Sequence, residues 1–155
     1  MGHITTSKTK PFKPIILSCF CMVILALSLI ISLRECKAQV IIGNSSITED
    51  CISKNTLSAI FGMRLHTWPD GTSIKVFVLQ DKHPLHIKFA KRRLNIFPHQ
   101  LRWCWDRLVF SGTGQAPTEL SSEDEMRKKV ASVPGAIGYL EGPVNDKHIK
   151  TFQIK

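Results

Sequence analysis

The feature that most constrains this 155-residue chain is an uncharged, apolar stretch of twenty residues near its N-terminus, residues 14–33. Lys8, Lys10 and Lys13 precede the stretch, so the positive charge is concentrated on its N-terminal side. Because the positive flank of such a segment stays in the cytoplasm, the pattern predicts export of everything that follows. Any globular domain must therefore be built from the residues after the stretch.

The end of this stretch leaves two interpretations open. Cys36 and Ala38 are small residues at positions −3 and −1 of a cleavage site before Gln39, which favours a cleaved signal peptide over residues 1–38. The stretch is longer than the roughly 7 to 15 residues of a signal-peptide core and long enough to span a bilayer, so an uncleaved membrane anchor is the alternative. Both interpretations predict a periplasmic domain that meets the membrane only through its N-terminal segment.

The charge of the exported part is only moderately basic. Residues 39–155 hold 16 of the 21 Lys and Arg and 11 of the 12 Asp and Glu, a formal net charge of +5. The short basic run at residues 91–93 is typical of a solvated helix face. Nucleic acid is therefore not an expected partner.

Two cysteines, Cys51 and Cys104, remain after residue 38. An oxidising compartment would allow a disulfide between them. The alternative, which we favour, is that both are small buried apolar residues, because Cys104 shares a helical stripe with Leu101, Trp105 and Leu108.

Strand and helix patterns alternate along the exported part. Residues 74–79 are apolar on both alternating faces, as in a strand covered by helices on both sides. Ser53, Pro84, Pro98 and Ser122 stand where helices begin. The predicted order is strand 40–42, helix 54–61, strand 74–79, helices 84–95, 98–109 and 123–133, strand 136–140 and an edge strand 148–154. This order predicts one α/β domain over residues 39–155, with a mostly parallel or mixed sheet covered by helices and a core centred on Ile74, Val76, Val78, Ile137 and Tyr139.

Several short segments resemble the phosphate-type substrate-binding proteins of ABC transporters, in particular short single-lobe members of that periplasmic-binding-protein-like superfamily. The segments are residues 57–62, residues 68–71, Phe89, Trp105, Val130 and residues 134–139. The resemblance covers residues 40–140. It implies a single lobe of a type 2 periplasmic-binding-protein-like fold, phosphate or another oxyanion as ligand, and a transporter or other envelope protein as partner.

The chain departs from that family in its size. Full-length members close two lobes over the ligand, whereas residues 39–155 provide one lobe. A solitary lobe lacks the donors of the opposite wall and cannot bury an anion. We therefore expect weak or lost oxyanion binding.

The second departure is in the anion cradle. The family places an Arg and then Ser-Gly-Thr after the strand equivalent to residues 75–79, whereas this chain has Asp81 and Pro84 there. Asp81 adds negative charge, and Pro84 removes an N–H donor. The candidate ligand-binding residues are Arg64, Lys82 and His83, together with a loop of small residues, Ser111, Gly112, Thr113 and Gly114, whose N–H groups can form a nest. The alternative function is an exported accessory or interaction protein that keeps the fold without binding a ligand.

Other chemistry has little support. His83 and His86 have the spacing of two metal ligands on one helix face. A third ligand, such as Asp81 or His66, would have to come near, and no further Cys or His spacing supports a metal site, so we interpret them as solvent-facing histidines. Ser111 lacks the context of a nucleophile elbow, and no acid pair stands out. The sequence predicts neither an enzyme nor a metal or cofactor site.

Overall fold

The computed structural model describes residues 38–155, which form one compact unit. The predictions of a signal peptide, an anchor and a membrane-spanning run concern residues that lie outside the described part. None of the helices within residues 38–155 has the length and apolar composition needed to cross a bilayer.

Six strands and four helices make up the described part. The helices are α1 (Lys54–Phe61), α2 (Pro84–Arg93), α3 (Pro98–Phe110) and α4 (Glu123–Ser132). The strands are β1 (Gln39–Asn44), β2 (Cys51–Ile52), β3 (Lys75–Leu79), β4 (Thr118–Leu120), β5 (Ala136–Glu141) and β6 (Ile149–Ile154). Their order along the chain confirms the predicted α/β class.

All six strands form one mixed sheet in the order β2-β6-β1-β5-β3-β4. Strand β1 pairs antiparallel with β5 and β6, whereas β3 is parallel to β4 and β5, and β2 is parallel to β6. The prediction that β6 forms an edge was wrong, because β2 pairs along its outer side. Strands β2 and β4 were missed because two or three residues carry no recognisable alternation.

Strand β5 separates two helical layers. At Gly138 any side chain would collide with the sulfur of Met126, so α4 packs directly on that face of the sheet. The next side chain, Tyr139, points to the other face and stacks on Phe89 of α2, with ring centroids 4.0 Å apart. Because β5 is covered on both faces, the residues expected at the centre of the core are all buried, namely Ile74, Val76, Val78, Ile137 and Tyr139.

The loop after α1 is fixed by a contact between Trp68 and Gly135, the residue before β5. The indole of Trp68 donates from Nε1 to the carbonyl of Gly135, at 3.0 Å. Gly135 has a φ of 72°, and a side chain there would collide with the carbonyl of Ser73. Only glycine combines that backbone conformation with so close an approach.

Helix α3 buries fewer side chains than its sequence pattern predicted. Trp105 is buried and donates from Nε1 to the carbonyl of Phe61 at 2.8 Å. Cys104, by contrast, is exposed and Leu108 only half-buried, because α3 packs on the end of α1 and on α2, which leaves a narrower buried stripe. Both thiols are free, so the structure contains no Cys51–Cys104 disulfide.

Candidate functional site

The C-terminal edge of the parallel strands is where the resemblance places an anion cradle. Strand β3 ends at Leu79 and α2 begins at Pro84, so the connection that carries Asp81 crosses this edge. Glu119 of β4 pairs with Val78 of β3 and brings a second carboxylate to the same edge. Ligands of open α/β sheets bind at this edge in general.

An arginine that the sequence analysis did not single out joins the two carboxylates. Arg102 of α3 donates from Nε and Nη2 to the two carboxylate oxygens of Asp81, both at 2.8 Å, and from Nη2 also to Glu119. The hydrogen bond to Asp81 is the main reason why the pKa of Arg102 lies above its ordinary value. Two carboxylates against one guanidinium leave a formal charge of −1. We call these three residues the acid–arginine cluster.

Beneath the cluster, His86 and Tyr139 form a buried pair. The Tyr139 hydroxyl lies 2.6 Å from Nδ1 of His86 and accepts the N–H of Leu79 at 2.9 Å. The hydroxyl has one proton, which it can donate to Nδ1, and in that arrangement the neutral imidazole carries its proton on Nε2. Burial raises the pKa of Tyr139 well above its usual value, so the hydroxyl stays protonated.

The imidazole of His86 is held neutral by its surroundings. It is fully buried, and Nε2 has no hydrogen-bond partner among the described residues, since the nearest oxygen of Asp81 is 3.8 Å away. Burial lowers the pKa of His86, and the charge of Asp81 offsets only part of that effect. The prediction of a solvent-facing His86 was wrong, because the first turn of α2 directs its ring onto Tyr139.

The start of α2 offers few donors to an anion. His83 is the N-cap residue, and its Nδ1 accepts the N–H of Leu85 at 3.2 Å. Pro84 has no N–H, and the N–H of Ile87 binds the carbonyl of His83. Lys82 is exposed beside this turn. It is the one cation among the candidate ligand residues that the structure places at this edge.

The loop of small residues lies at the opposite edge of the sheet. Residues 111–114 precede β4, whereas Lys82 and His83 follow β3, and the two strands are parallel. The backbone N–H groups of Ser111, Gly112, Thr113 and Gly114 all donate to carbonyls in the last turn of α3. The hydroxyls of Ser111 and Thr113 bond to each other at 2.7 Å. This loop therefore closes the end of a helix, and its N–H groups do not form the nest that the sequence suggested.

Arg64 belongs to a third location. It follows α1 and lines an open groove of about 600 Å³ between the end of α1, the α2–α3 connection and α3. Leu94, Ile96, Trp103 and Leu108 supply much of the apolar lining. The candidate ligand residues thus divide among three places. Within residues 38–155, no group of three or more Cys, His, Asp or Glu side chains could hold a metal ion.

Comparison with solved structures gives a clear likeness. An ABC-type phosphate transport receptor from Vibrio cholerae matches 76% of this chain and 46% of its own length, at 13% identity and a TM-score of 0.59. PstS from Borrelia burgdorferi gives 15% identity, a TM-score of 0.58, and coverage of 76% and 47%. A Clostridium perfringens protein assigned as a phosphate ABC transporter substrate-binding protein, solved with bound phosphate, gives 10% identity, a TM-score of 0.60, and coverage of 76% and 45%.

The likeness is one of fold. The chain spans less than half the length of these solved proteins. No protein-family model and no curated protein sequence matches the chain. The described residues therefore have the fold of a single lobe of the periplasmic-binding-protein-like substrate-binding proteins, as the sequence analysis predicted.

Proposed function

We propose that this chain is an exported, solute-binding-protein-like domain in which oxyanion binding is weak or lost. The observation that carries this proposal is the acid–arginine cluster at the C-terminal edge of the sheet. There Arg102 is already bound by two carboxylates of its own chain. A phosphate ion approaching this edge would have to displace Asp81 or Glu119 from the guanidinium.

The single lobe weakens binding further. No second wall covers this edge within residues 38–155, so an anion there would stay partly hydrated and screened by salt. Among the candidate ligand residues that the structure describes at this edge, Lys82 is the cation left to meet an anion, and its side chain is exposed. A millimolar dissociation constant, about −4 kcal/mol, is the affinity we expect for such a site. Catalysis forms no part of the proposal.

Isothermal titration of the purified full chain with phosphate tests the proposal. Asp81→Asn should tighten binding, because it removes one negative charge and weakens the hold of residue 81 on the Arg102 guanidinium. Lys82→Ala should weaken it. Ser111→Ala is the matched control, since Ser111 lies at the other edge, and it should leave the affinity unchanged. Micromolar binding by the unaltered monomer would contradict the proposal.

Export can be tested in the same cells that make the protein. The proposal requires a domain beyond the cytoplasmic membrane, reached through residues 1–38. A reporter that works only in the cytoplasm, fused after Lys155, should stay inactive. Sequencing the mature N-terminus distinguishes the two forms, because cleavage leaves Gln39 first and an anchor leaves the chain intact in the membrane fraction.

A second candidate function is an interaction protein without a ligand. It is favoured by the large apolar side chains that α3 exposes, Trp103, Val109 and Phe110. Large exposed apolar patches mark contact sites on proteins. Asp81→Asn distinguishes the two functions, because it should leave a protein contact on α3 intact while it alters phosphate binding.

A further inference from the structure

Helix α3 turns a row of aromatic side chains outward. Trp103 is 67% exposed and Phe110 is 88% exposed, and their separation of seven residues places them on one side of the helix. Phe97, just before the helix, is 52% exposed. His99 stacks on Phe97 and meets Trp103 edge-on, with ring centroids 5.7 and 5.4 Å apart. We call Phe97, His99, Trp103 and Phe110 the aromatic face.

Basic side chains border the aromatic face. The ammonium group of Lys91 lies 5.3 Å from the ring centre of Phe97, and Arg92 is exposed beside it. Arg107, one turn after Trp103, is exposed and forms no ion pair among the described residues. Asp106 is the acid on this side of α3. The border therefore carries an excess of positive charge.

The first strand of the described part begins beside the C-terminal end of α2. Gln39 opens β1, and its carbonyl accepts a hydrogen bond from Nη2 of Arg93 at 2.7 Å. Arg93 and Lys91 both belong to the last turn of α2, and their side chains leave the helix in different directions. Only residues 34–38 separate Gln39 from the apolar stretch of residues 14–33. The end of α2 is thus bound to Gln39, the first residue of β1.

From these observations we infer that the aromatic face docks on the surface of an anionic lipid bilayer. Phe97, Trp103 and Phe110 lie at the level of the headgroups, and Lys91 and Arg92 contact the acidic headgroups. Aromatic rings prefer this interfacial region, and basic side chains near a bilayer are attracted to acidic lipids. This inference adds a lipid partner to the proposed function and does not depend on phosphate binding.

A bilayer explains more of the structure than a soluble partner does. A protein partner would account for the exposed aromatic rings. It would not account for the apolar stretch of the uncleaved form, which is separated from Gln39 by residues 34–38. A bilayer accounts for both, because it is the partner that the apolar stretch and the aromatic face can share.

Tryptophan fluorescence of the full chain in lipid vesicles tests the inference. The vesicles contain equal parts of phosphatidylcholine and phosphatidylglycerol, with bromine on the acyl chains as a quencher. Trp68 and Trp105 are buried, so bilayer quenching reports on Trp103. We expect clear quenching, which disappears in Trp103→Phe because that variant lacks the reporter. Quenching should be much weaker in vesicles of phosphatidylcholine alone and should fall as salt is added.

Charge variants show whether the quenching of Trp103 is due to docking of the aromatic face or only to the nearness of the protein to the bilayer. The pair Lys91→Gln and Arg92→Gln removes two exposed positive charges beside the aromatic face, and we expect the quenching to drop to the level seen with phosphatidylcholine alone. The matched control, Lys128→Gln with Lys129→Gln, removes two exposed charges from α4 on the other face of the sheet and should change nothing. Circular dichroism verifies that all variants are folded.

Three results would overturn the inference. The first is an unquenched Trp103 in vesicles that contain phosphatidylglycerol. The second is equal quenching in both lipid compositions. The third is equal loss of quenching in the α2 and α4 charge variants, since that would reflect net charge and not a specific face.

Discussion

The two edges of the parallel strands differ in how their polar groups are satisfied. At the C-terminal edge, side chains from β4, α2, α3 and β5 meet, and charged and buried polar groups bind one another across long sequence separations. At the N-terminal edge, the backbone N–H groups of residues 111–114 all bind the last turn of the helix they follow. The C-terminal edge is therefore held by tertiary contacts, whereas the polar groups at the N-terminal edge are satisfied locally, at the end of a helix.

This difference shows why the residue types of a short motif do not by themselves predict an anion site. Ser111-Gly112-Thr113 has the letters of an oxyanion loop, yet it follows a helix, where backbone carbonyls need donors and the helix dipole is negative. The other edge has a helix N-terminus, the favourable dipole end, and there Asp81 and Glu119 supply the negative charge. The N-terminal edge therefore lacks the favourable helix dipole that an oxyanion requires. The C-terminal edge has that dipole but lacks an excess of positive side-chain charge.

The largest expected effect comes from breaking the strand that connects the two edges. Val76 is buried in the middle of β3, and Val76→Asp would bury an unpaired charge. We expect a loss of about 3 to 5 kcal/mol of unfolding free energy. Urea unfolding measures this loss. The control, Lys75→Asp, puts the same acid on the exposed neighbouring residue and should have a small effect; a stable Val76→Asp variant would contradict the strand assignment.

Tyr139→Phe tests whether the C-terminal edge depends on its buried network. The variant leaves the Leu79 N–H and the Nδ1 atom of His86 without their partner. We expect a loss of about 2 to 3 kcal/mol, because each buried unsatisfied group carries a desolvation penalty. Lys88→Gln breaks an exposed ion pair with Glu141 nearby and should stay within about 0.5 kcal/mol. Equal stability of the two variants would show that the pair of His86 and Tyr139 is structurally unimportant.

Arg102→Gln tests the acid–arginine cluster itself. The variant leaves Asp81 and Glu119 close together without a cation, and we expect a loss of about 1 to 2 kcal/mol, most of it at low salt. Arg107→Gln removes the same charge from the same helix at an exposed position. It should have almost no effect on the unfolding midpoint. If the two variants cannot be distinguished by thermal unfolding, the cluster does not hold the edge together.

The smallest expected effect is a pH dependence due to His86. Its pKa is lower in the folded protein than in the unfolded chain, so the unfolded chain binds the extra proton more readily. The stabilising effect is therefore fully present above about pH 6.5 and is lost as the pH falls through the folded-state pKa. Besides Asp81, the charges that act on His86 are those of Arg102, Glu119 and His83. Unfolding of the native chain and of His86→Gln between neutral and mildly acidic pH should differ in slope, and identical slopes would contradict this assignment.

Much of the fold could be predicted because its signals are local. Ser53, Pro84 and Ser122 stand at helix starts, and the all-apolar run before Leu79 indicates a strand covered on both sides. Ser122 accepts the N–H of Glu125 as the capping pattern requires, although the Glu125 carboxylate binds Ser121 instead. Short pairings such as β4 had no such signal, because three residues gain a partner only once the rest of the sheet is assembled.

The candidate site was harder to predict because its contacts are not local. Arg102 reaches Asp81 from 21 residues away, and Tyr139 reaches His86 from 53 residues away. The sequence did place Asp81 and Pro84 at the cradle and identified both as unfavourable to an anion. A sequence signal for Arg102 existed in its position between the buried Leu101 and Trp105, since a charged residue beside a buried stripe needs a partner. Identifying that partner required knowledge of the pairing of β3 with β4.

The contact between Trp68 and Gly135 has a consequence for how this fold can diverge. The solved structures with the same lobe share only 10 to 15% of their residues with this chain, so most positions tolerate replacement. Gly135 cannot be replaced without moving the Ser73 backbone, and its carbonyl is the acceptor of the Trp68 indole. Distant relatives that keep a tryptophan equivalent to Trp68 should therefore keep this glycine as well. The pair would serve as a marker for recognising such lobes when overall identity has fallen too low to align them.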